Sequence, residues 1–343
     1  MKKTNRYISL LLALVFAAGL SSCIKEDYAD STKNDKATVS LVFDTRAPGV
    51  DGQTVQAGPN EGIKTLRVII VDSKSSKVNV NKFYDYSDEP GPVETKRLTI
   101  MNLPVGQKDF YVIANEGSVG MNDIDLNAWQ EKGTFDDSDK NELLQAVISS
   151  GFPKTEIAEL GLPIAGVKSE NITGTEDQVI EIPITRAVAK FVLYINNESG
   201  EDFDLNGVNL GTFVADRTYL FPGQNGLPQG VTYNKKMYSL NANTTVAAND
   251  DGKGEPAFIG YIYETGTRVA GDFTLSLTSD TRGFEDLAKA VPIQFNQQGR
   301  KHISRNEQVE ITATVDVNKE VQTDLKILVV HWGKKVIEVP SFN

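Results

Sequence analysis

Apolar and polar residues alternate along several short stretches of this chain, the period of a strand with one buried face. The first such stretch is Ala37 to Asp44. Ala37, Val39, Leu41 and Phe43 alternate with Thr38, Ser40 and Asp44, and Val42 is the one break. Thr45-Arg46-Ala47 then runs into Pro48-Gly49, which cannot continue a ladder. Two readings are open on this pattern. The stretch is an ordinary first strand followed by a turn, or it is a strand that one cut at a loop-borne arginine would detach.

Apolar, β-branched runs predict further strands over 63–72, 78–86, 96–101 and 109–114, broken at Glu89-Pro90-Gly91-Pro92 and Leu103-Pro104-Val105-Gly106. Asp139 with Glu142 reads as a capping box ahead of Leu143, Leu144, Val147 and Ile148, and 154–160 as a short helical turn. Strand character returns over 162–167 and 178–184, and 186–195 is a strong apolar strand. From there the chain reads as nearly all β, with strands over 203–214, 257–263, 271–278, 291–295 and 307–317. Gly/Asn/Asp-rich turns separate them, the spacing of a β-sandwich. At the carboxyl end, Leu325 to Trp332 and Val336 to Val339 are two short apolar strands split by Gly333-Lys334-Lys335. A length of 343 residues suggests two domains. The expected fold is mainly β, two sandwiches with short helices in the first.

Composition narrows the function classes. The formal charge is -11. Removing the first 22 residues loses Lys2, Lys3 and Arg6 and no acid, so 32 basic residues face 46 acidic ones, a net of -14. An acidic surface argues against nucleic acid and anionic membranes as main partners. One cysteine, Cys23, excludes an internal disulfide. With two histidines far from any second ligand set, no Cys/His zinc site is expected. Neither a metal nor a cofactor is expected.

The amino terminus reads as an address. Lys2, Lys3 and Arg6 precede a mostly apolar run from Ile8 to Gly19, which is too short to span a bilayer as a helix. It ends in Leu20-Ser21-Ser22-Cys23. Small residues before a lone cysteine resemble the bacterial lipobox, which implies acylation of Cys23 (palmitate among the chains) after loss of residues 1–22. A plain secretory signal with an incidental cysteine is the alternative. Ile24-Lys25-Glu26-Asp27 resembles the surface-export signal of Bacteroidetes lipoproteins. Residues 23–36 are polar and aperiodic, a tether.

No catalytic constellation stands out. Gly-x-Ser-x-Gly, a phosphate-binding glycine loop and His-Glu-x-x-His are all absent from the sequence. Asp137-Ser138-Asp139-Lys140-Asn141 imitates the start of a calcium loop. It has Glu142 where glycine is needed and Ile148 where a bidentate glutamate is needed. His302 and His331 each lie in or beside a strand-like run. The chain reads as a non-enzyme.

These features together resemble the fimbrillins, the subunits of the type V pili of Bacteroidetes. The resemblance is carried by the lipobox at Cys23, the strand ending in Thr45-Arg46-Ala47, and the run from Ile63 to Asp72. It continues with Leu103-Pro-Val-Gly106, Tyr111-Val-Ile-Ala-Asn115, Thr185-Arg-Ala-Val-Ala-Lys190, His302-Ile-Ser-Arg-Asn306 and an apolar tail with Trp332. It implies two transthyretin-like β-sandwich domains, at 47–185 and 186–343, after a removable segment at 23–46.

The resemblance also implies assembly. An arginine-specific surface protease would cut between Arg46 and Ala47, releasing the tether with Val39, Leu41 and Phe43. The carboxyl tail of another subunit, about 321–343, would fill the opened groove. Within it, Ile327 with Val329, or Leu328 with Val330, would face inward, flanked by Leu325 and Trp332. The contact is head-to-tail, so it builds a filament. The implied setting is the outer membrane and then the surface fimbrium, with other fimbrial subunits as partners and adhesion as the role. An accessory, anchor or tip subunit is the alternative within the family. A glycan-binding surface lipoprotein is the alternative outside it; such a protein would show exposed aromatics on one face, and Trp129 and Trp332 lend that little support.

Overall fold

The computed structural model describes residues 35–45, 54–55, 58, 60–89, 91, 93–118, 125–149, 160–174, 178–224, 226–296, 299–322 and 325–332, and all structural statements concern these. Its first half holds β1 (Lys36–Asp44), β2 (Thr54–Val55), β3 (Thr65–Asp72), β4 (Val78–Asp85), β5 (Thr95–Pro104) and β6 (Gly106–Ala114). Two short helices follow, α1 (Ala128–Lys132) and α2 (Asp137–Leu144). Then come β7 (Val147–Ser149), β8 (Ile164–Ile172), β9 (Gln178–Pro183) and β10 (Thr185–Arg186). A three-stranded sheet, β5-β1-β9, packs on a five-stranded sheet, β10-β8-β6-β3-β4.

The long apolar runs are explained by layering. Leu66, Val68 and Ile70 of β3, with Phe110, Val112 and Ala114 of β6, face the β1 sheet. Ile69, Val71, Tyr111 and Ile113 point the other way, into a second apolar cluster. A sheet covered on both faces reads as continuous apolar sequence rather than alternation. The chain changes sheets between β5 and β6, where Gly106 takes φ +105, a conformation that favours glycine. Asn115, at φ 59, closes β6. Its side-chain oxygen accepts from the Lys64 and Thr65 amides, and its NH₂ donates to the Gly62 and Leu162 carbonyls.

The second half holds β11 (Ala189–Asn197), β12 (Phe203–Leu210), β13 (Arg217–Tyr219), β14 (Lys236–Val246), β15 (Phe258–Ile262), β16 (Thr274–Ser279), β17 (Val291–Phe295), β18 (Glu307–Val315) and β19 (Leu325–Trp332). All but β13 form one curled sheet in the order β14-β12-β16-β17-β19-β18-β11-β15, with β2 added beside β19. It wraps a core that includes Phe191, Phe203, Phe213, Phe273 and Phe284. The apolar cluster that receives Ile69, Val71, Tyr111 and Ile113 joins the halves: Tyr111, Trp129 and Phe135 from the first pack with Leu220, Phe221 and Trp332 from the second. The short β7–β13 ladder crosses the same joint.

Several expectations shift. The capping box lies three residues earlier than expected, with Asp136 as N-cap and Asp139 as its reciprocal partner. The Asp136 carboxylate accepts from the Ser138 and Asp139 amides, so α2 starts earlier and ends before Val147 and Ile148, which pair across the joint as β7. The expected strand at 186–195 is two. Arg186 pairs with Ile164 in the first half, whereas β11 joins the second sheet from Ala189. Strand β14 was not expected, because Asn241, Asn243 and their neighbours carry weak strand propensity. The expected turn at 154–159 and the expected strand at 336–339 lie outside the described residues.

Candidate functional site: the first strand and the joint beside it

Strand β1 is the middle strand of its sheet. It runs antiparallel to β5, with Leu41 opposite Leu98 and Phe43 opposite Lys96, and parallel to β9, with Leu41 opposite Ile180 and Phe43 opposite Ile182. Val39, Leu41 and Phe43 are fully buried, and Ala37 is nearly so. Val42, the break in the alternation, lies on the outer side beside Arg97 and Glu181 and is half-buried. Taking the strand away would uncover three large apolar side-chain sites, roughly 5–9 kcal/mol of burial as an upper bound. It would also unpair two strand edges at once.

Among the described residues β1 is the first element, so a single break after it severs its one covalent tie to the rest of the fold. Cys23, Arg46 and Ala47 lie outside the described residues. Thr45, just before Arg46, is fully buried. Its amide donates to the Glu94 carbonyl at 3.2 Å.

Thr45 is gripped by the arginine of the second Thr-Arg-Ala of the chain. Arg186 is fully buried at the joint. Its Nη1 donates to the Thr45 carbonyl at 3.4 Å, to Asn306 Oδ1 at 3.2 Å and to the Trp332 carbonyl at 3.5 Å. Nη2 donates to Thr45 Oγ1 at 3.3 Å, and Nε to the Glu61 carbonyl at 3.2 Å. The guanidinium carbon sits 4.4 Å from the centre of the Trp332 ring. Asn306 Nδ2 also donates to the Thr45 carbonyl, at 3.3 Å.

The charges of this cluster balance. Arg186 and Lys190 face Glu61 and Glu94, with Lys190 Nζ 2.8 Å from Glu61 Oε1 and Arg186 Nη2 3.7 Å from Glu94 Oε1. Glu61 further accepts from the Tyr261 hydroxyl at 2.7 Å and from the Trp332 indole N–H at 3.1 Å. Burial works to raise the Glu61 carboxyl. Lys190, the Gly58 amide and the Tyr261 hydroxyl outweigh it and hold the group below its ordinary value. Burial pulls the Arg186 guanidinium down to about 10, against Glu61 and Glu94, so it stays charged at neutral pH. Burial pushes the Tyr261 phenol well above its usual range, and Glu61 adds to the effect. Each nitrogen and hydroxyl named here as a donor has an acceptor, the buried Glu94 Oε1 alone having no hydrogen-bond partner among the atoms of this cluster, and the arrangement is one of holding rather than of chemistry.

Strand β19 lies between β17 and β18 in the middle of its own sheet, with Ile327 opposite Ile311 and Phe295. Leu325 and Ile327 are buried in the second core, with half-buried Val329 packed against it. Val330 and Trp332 are buried as well, and Leu328 is exposed on the outer face. His331 and Trp332 pair with Thr54 and Val55, so chain just past the Arg46 region lies against the end of the tail strand.

Arg186, Thr45, Glu61, Lys190, Tyr261 and Asn306 were not singled out by sequence as a cluster. One signal was present. Arg186 is a charged residue between Ile184 and Ala187-Val188-Ala189, which is costly in a core unless paired.

No family model and no curated protein matches this chain. Solved structures do match it in fold. The tip fimbrial protein Mfa3 from Porphyromonas gingivalis, in a C-terminally truncated form, superposes with a TM-score of 0.55 at 17% identity, over 86% of this chain and 100% of that one. A fimbrilin from the same organism superposes with a TM-score of 0.51 at 14% identity, over 87% of this chain and 98% of that one. The fold is that of these two fimbrial proteins: mainly β, in packed and curled sheets, with a few short helices.

Proposed function

We propose that this chain is a structural subunit of a surface fimbria that serves adhesion, made as a lipoprotein on Cys23 and activated by a cut after Arg46. The supporting observation is the position of β1. It is a central strand with three fully buried apolar side chains, yet it is the first described element and hangs from the fold by one connection. A strand that is central in space and terminal in sequence is removable by one cut, and its removal leaves a groove with two open edges. The occupant of that groove is the carboxyl tail of another subunit.

The placement of β19 bears on which part of the tail is given. Withdrawing Leu325–Trp332 would open the middle of its own sheet and expose Leu325, Ile327, Val330 and Trp332. The 11 residues beyond Trp332 carry Val336, Ile337, Val339 and Phe342. They are the cheaper donor, with β19 as their fixed root. Fold likeness to both a tip protein and a fimbrilin does not separate tip from stalk. The Arg46 site and the apolar tail together favour a stalk subunit.

The test is electron microscopy with unboiled denaturing gels on cells or protein treated with an arginine-specific protease. The intact chain should give ladders and filaments, and Arg46→Ala should stay a surface-bound monomer. A chain ended after Trp332 should be cut but not polymerise. Polymers from that truncation would move the donor role back to Leu325–Trp332, and polymers from Arg46→Ala would rule out proteolytic activation.

A further inference from the structure

Arg186 touches the carboxyl ends of two described segments, the one that carries the first strand and the one that carries the tail strand. The carbonyls of Thr45, the last described residue before the Arg46 site, and of Trp332, the last described residue of the tail strand, both accept from its Nη1. We propose that Arg186 couples the first strand to the tail strand, so that loosening either one loosens the other. This rests on the reading of β1 as the removable strand.

A guanidinium is a planar fork of five donors, and its geometry is fixed by the acceptors around it. Here Thr45 supplies two of the acceptors, a carbonyl and a hydroxyl, and Trp332 supplies a carbonyl and a ring face. The site is fully buried, so donors that lose Thr45 have no bulk water to turn to. The fork must re-aim or admit water, and either shift disturbs its seat on the Trp332 ring. Glu61 still holds the indole N–H and Lys190 still lies 5.8 Å from the ring centre, so the tail end is loosened rather than expelled.

Coupling of this kind is reciprocal. The bond after Arg46 can enter a protease cleft only when Thr45 peels away from Arg186. Anything that weakens the grip of Arg186 therefore speeds the cut, including a change in Trp332. When opening is fast, the cutting rate follows the population of the opened strand.

The experiment measures the rate of cutting after Arg46 by mass spectrometry in a double-mutant cycle on the folded full-length chain. Trp332→Phe and Arg186→Lys should each raise the rate roughly 5-fold or more. The pair together should raise it little beyond either alone. Phe284→Leu, in the distant second core, should leave the rate near that of the parent chain. Additive effects, or no effect of Trp332→Phe, would overturn the coupling. Should Arg186→Lys fail to fold, hydrogen exchange in the cut parent chain decides instead. Amides of 325–332 should exchange faster once the first strand has left, and unchanged exchange would refute the proposal. If no cut occurs after Arg46 at all, the proposed function fails. A foreign protease site placed in 47–53 then tests the coupling separately.

Discussion

The chain carries Thr-Arg-Ala twice, at 45–47 and 185–187, and the two copies have opposite surroundings. The first follows a strand end and runs into Pro48-Gly49. The second has its arginine fully buried, its side chain spread over Thr45, Glu61, Asn306 and Trp332. The same three residues thus serve as a proposed cut site in one place and as a grip in the other, and the grip holds the threonine of the first copy. The residues after each arginine make the difference. Ala187 and Val188 go into the apolar joint, which carries Arg186 inside with them, whereas in the sequence Arg46 is followed by Ala47-Pro48-Gly49, residues that cannot carry a ladder onward.

The largest expected effect on this contrast comes from removing the buried grip. Arg186→Met leaves Glu61 and Glu94 short of a buried cation and should cost about 3–5 kcal/mol, read from urea unfolding. Phe43→Ala, in the gripped strand, should cost about 3–4 kcal/mol through the lost burial and the cavity left at a fully buried site. If either variant matches the parent chain, the joint or the strand is less tightly built than the contacts indicate. Glu61→Gln keeps the shape but strands Lys190 and should cost about 2–3 kcal/mol.

Acid sharpens the same point. Glu61 titrates below its ordinary 4.5 in the folded chain, so its contribution is complete above that pH. It is lost as pH falls through the lower folded value. Urea midpoints near neutrality and near pH about 5 should therefore show the full Glu61 contribution, with its loss confined to stronger acid. Glu61→Gln should flatten that acid limb. The smallest effect is expected from Thr45→Val, which removes one hydroxyl acceptor from Arg186, costs about 1 kcal/mol and quickens cutting after Arg46.

Much of the fold was legible because period-2 patterns survive wherever one face is buried. Strand β1 read correctly down to Val42, whose apolar side chain is tolerated on a half-buried outer face. Strands β3 and β6 read as strands although they do not alternate, since both of their faces are covered. The helix start was misplaced because Asp136, Asp137, Ser138 and Asp139 are all competent caps. Only the packing of Leu143 and the turn into β7 select Asp136. Strand β14 was missed because asparagine and threonine say little about a ladder that its neighbour β12 imposes.

The joint was the least legible part. Its residues come from 45, 61, 94, 186, 190, 261, 306 and 332, and no local spacing links them. Yet four of the segments that carried the family resemblance meet there, the first being the strand that ends at Thr45. Thr185–Lys190 supplies Arg186 and Lys190, His302–Asn306 supplies Asn306, and the apolar tail supplies Trp332. Asn115, from a fifth segment, pins the chain beside Glu61 through Gly62. Residues that looked like scattered weak signals along the sequence are the parts of one buried contact.

The most direct test is limited digestion of the folded chain with an arginine-specific protease, with fragment masses followed over time beside the assembly state. A removable first strand requires a first cut between Arg46 and Ala47, no cut after Arg186 until the chain is unfolded, and polymers appearing as residues up to 46 leave. A chain cut after Arg46 that loses its first strand and remains monomeric would contradict it.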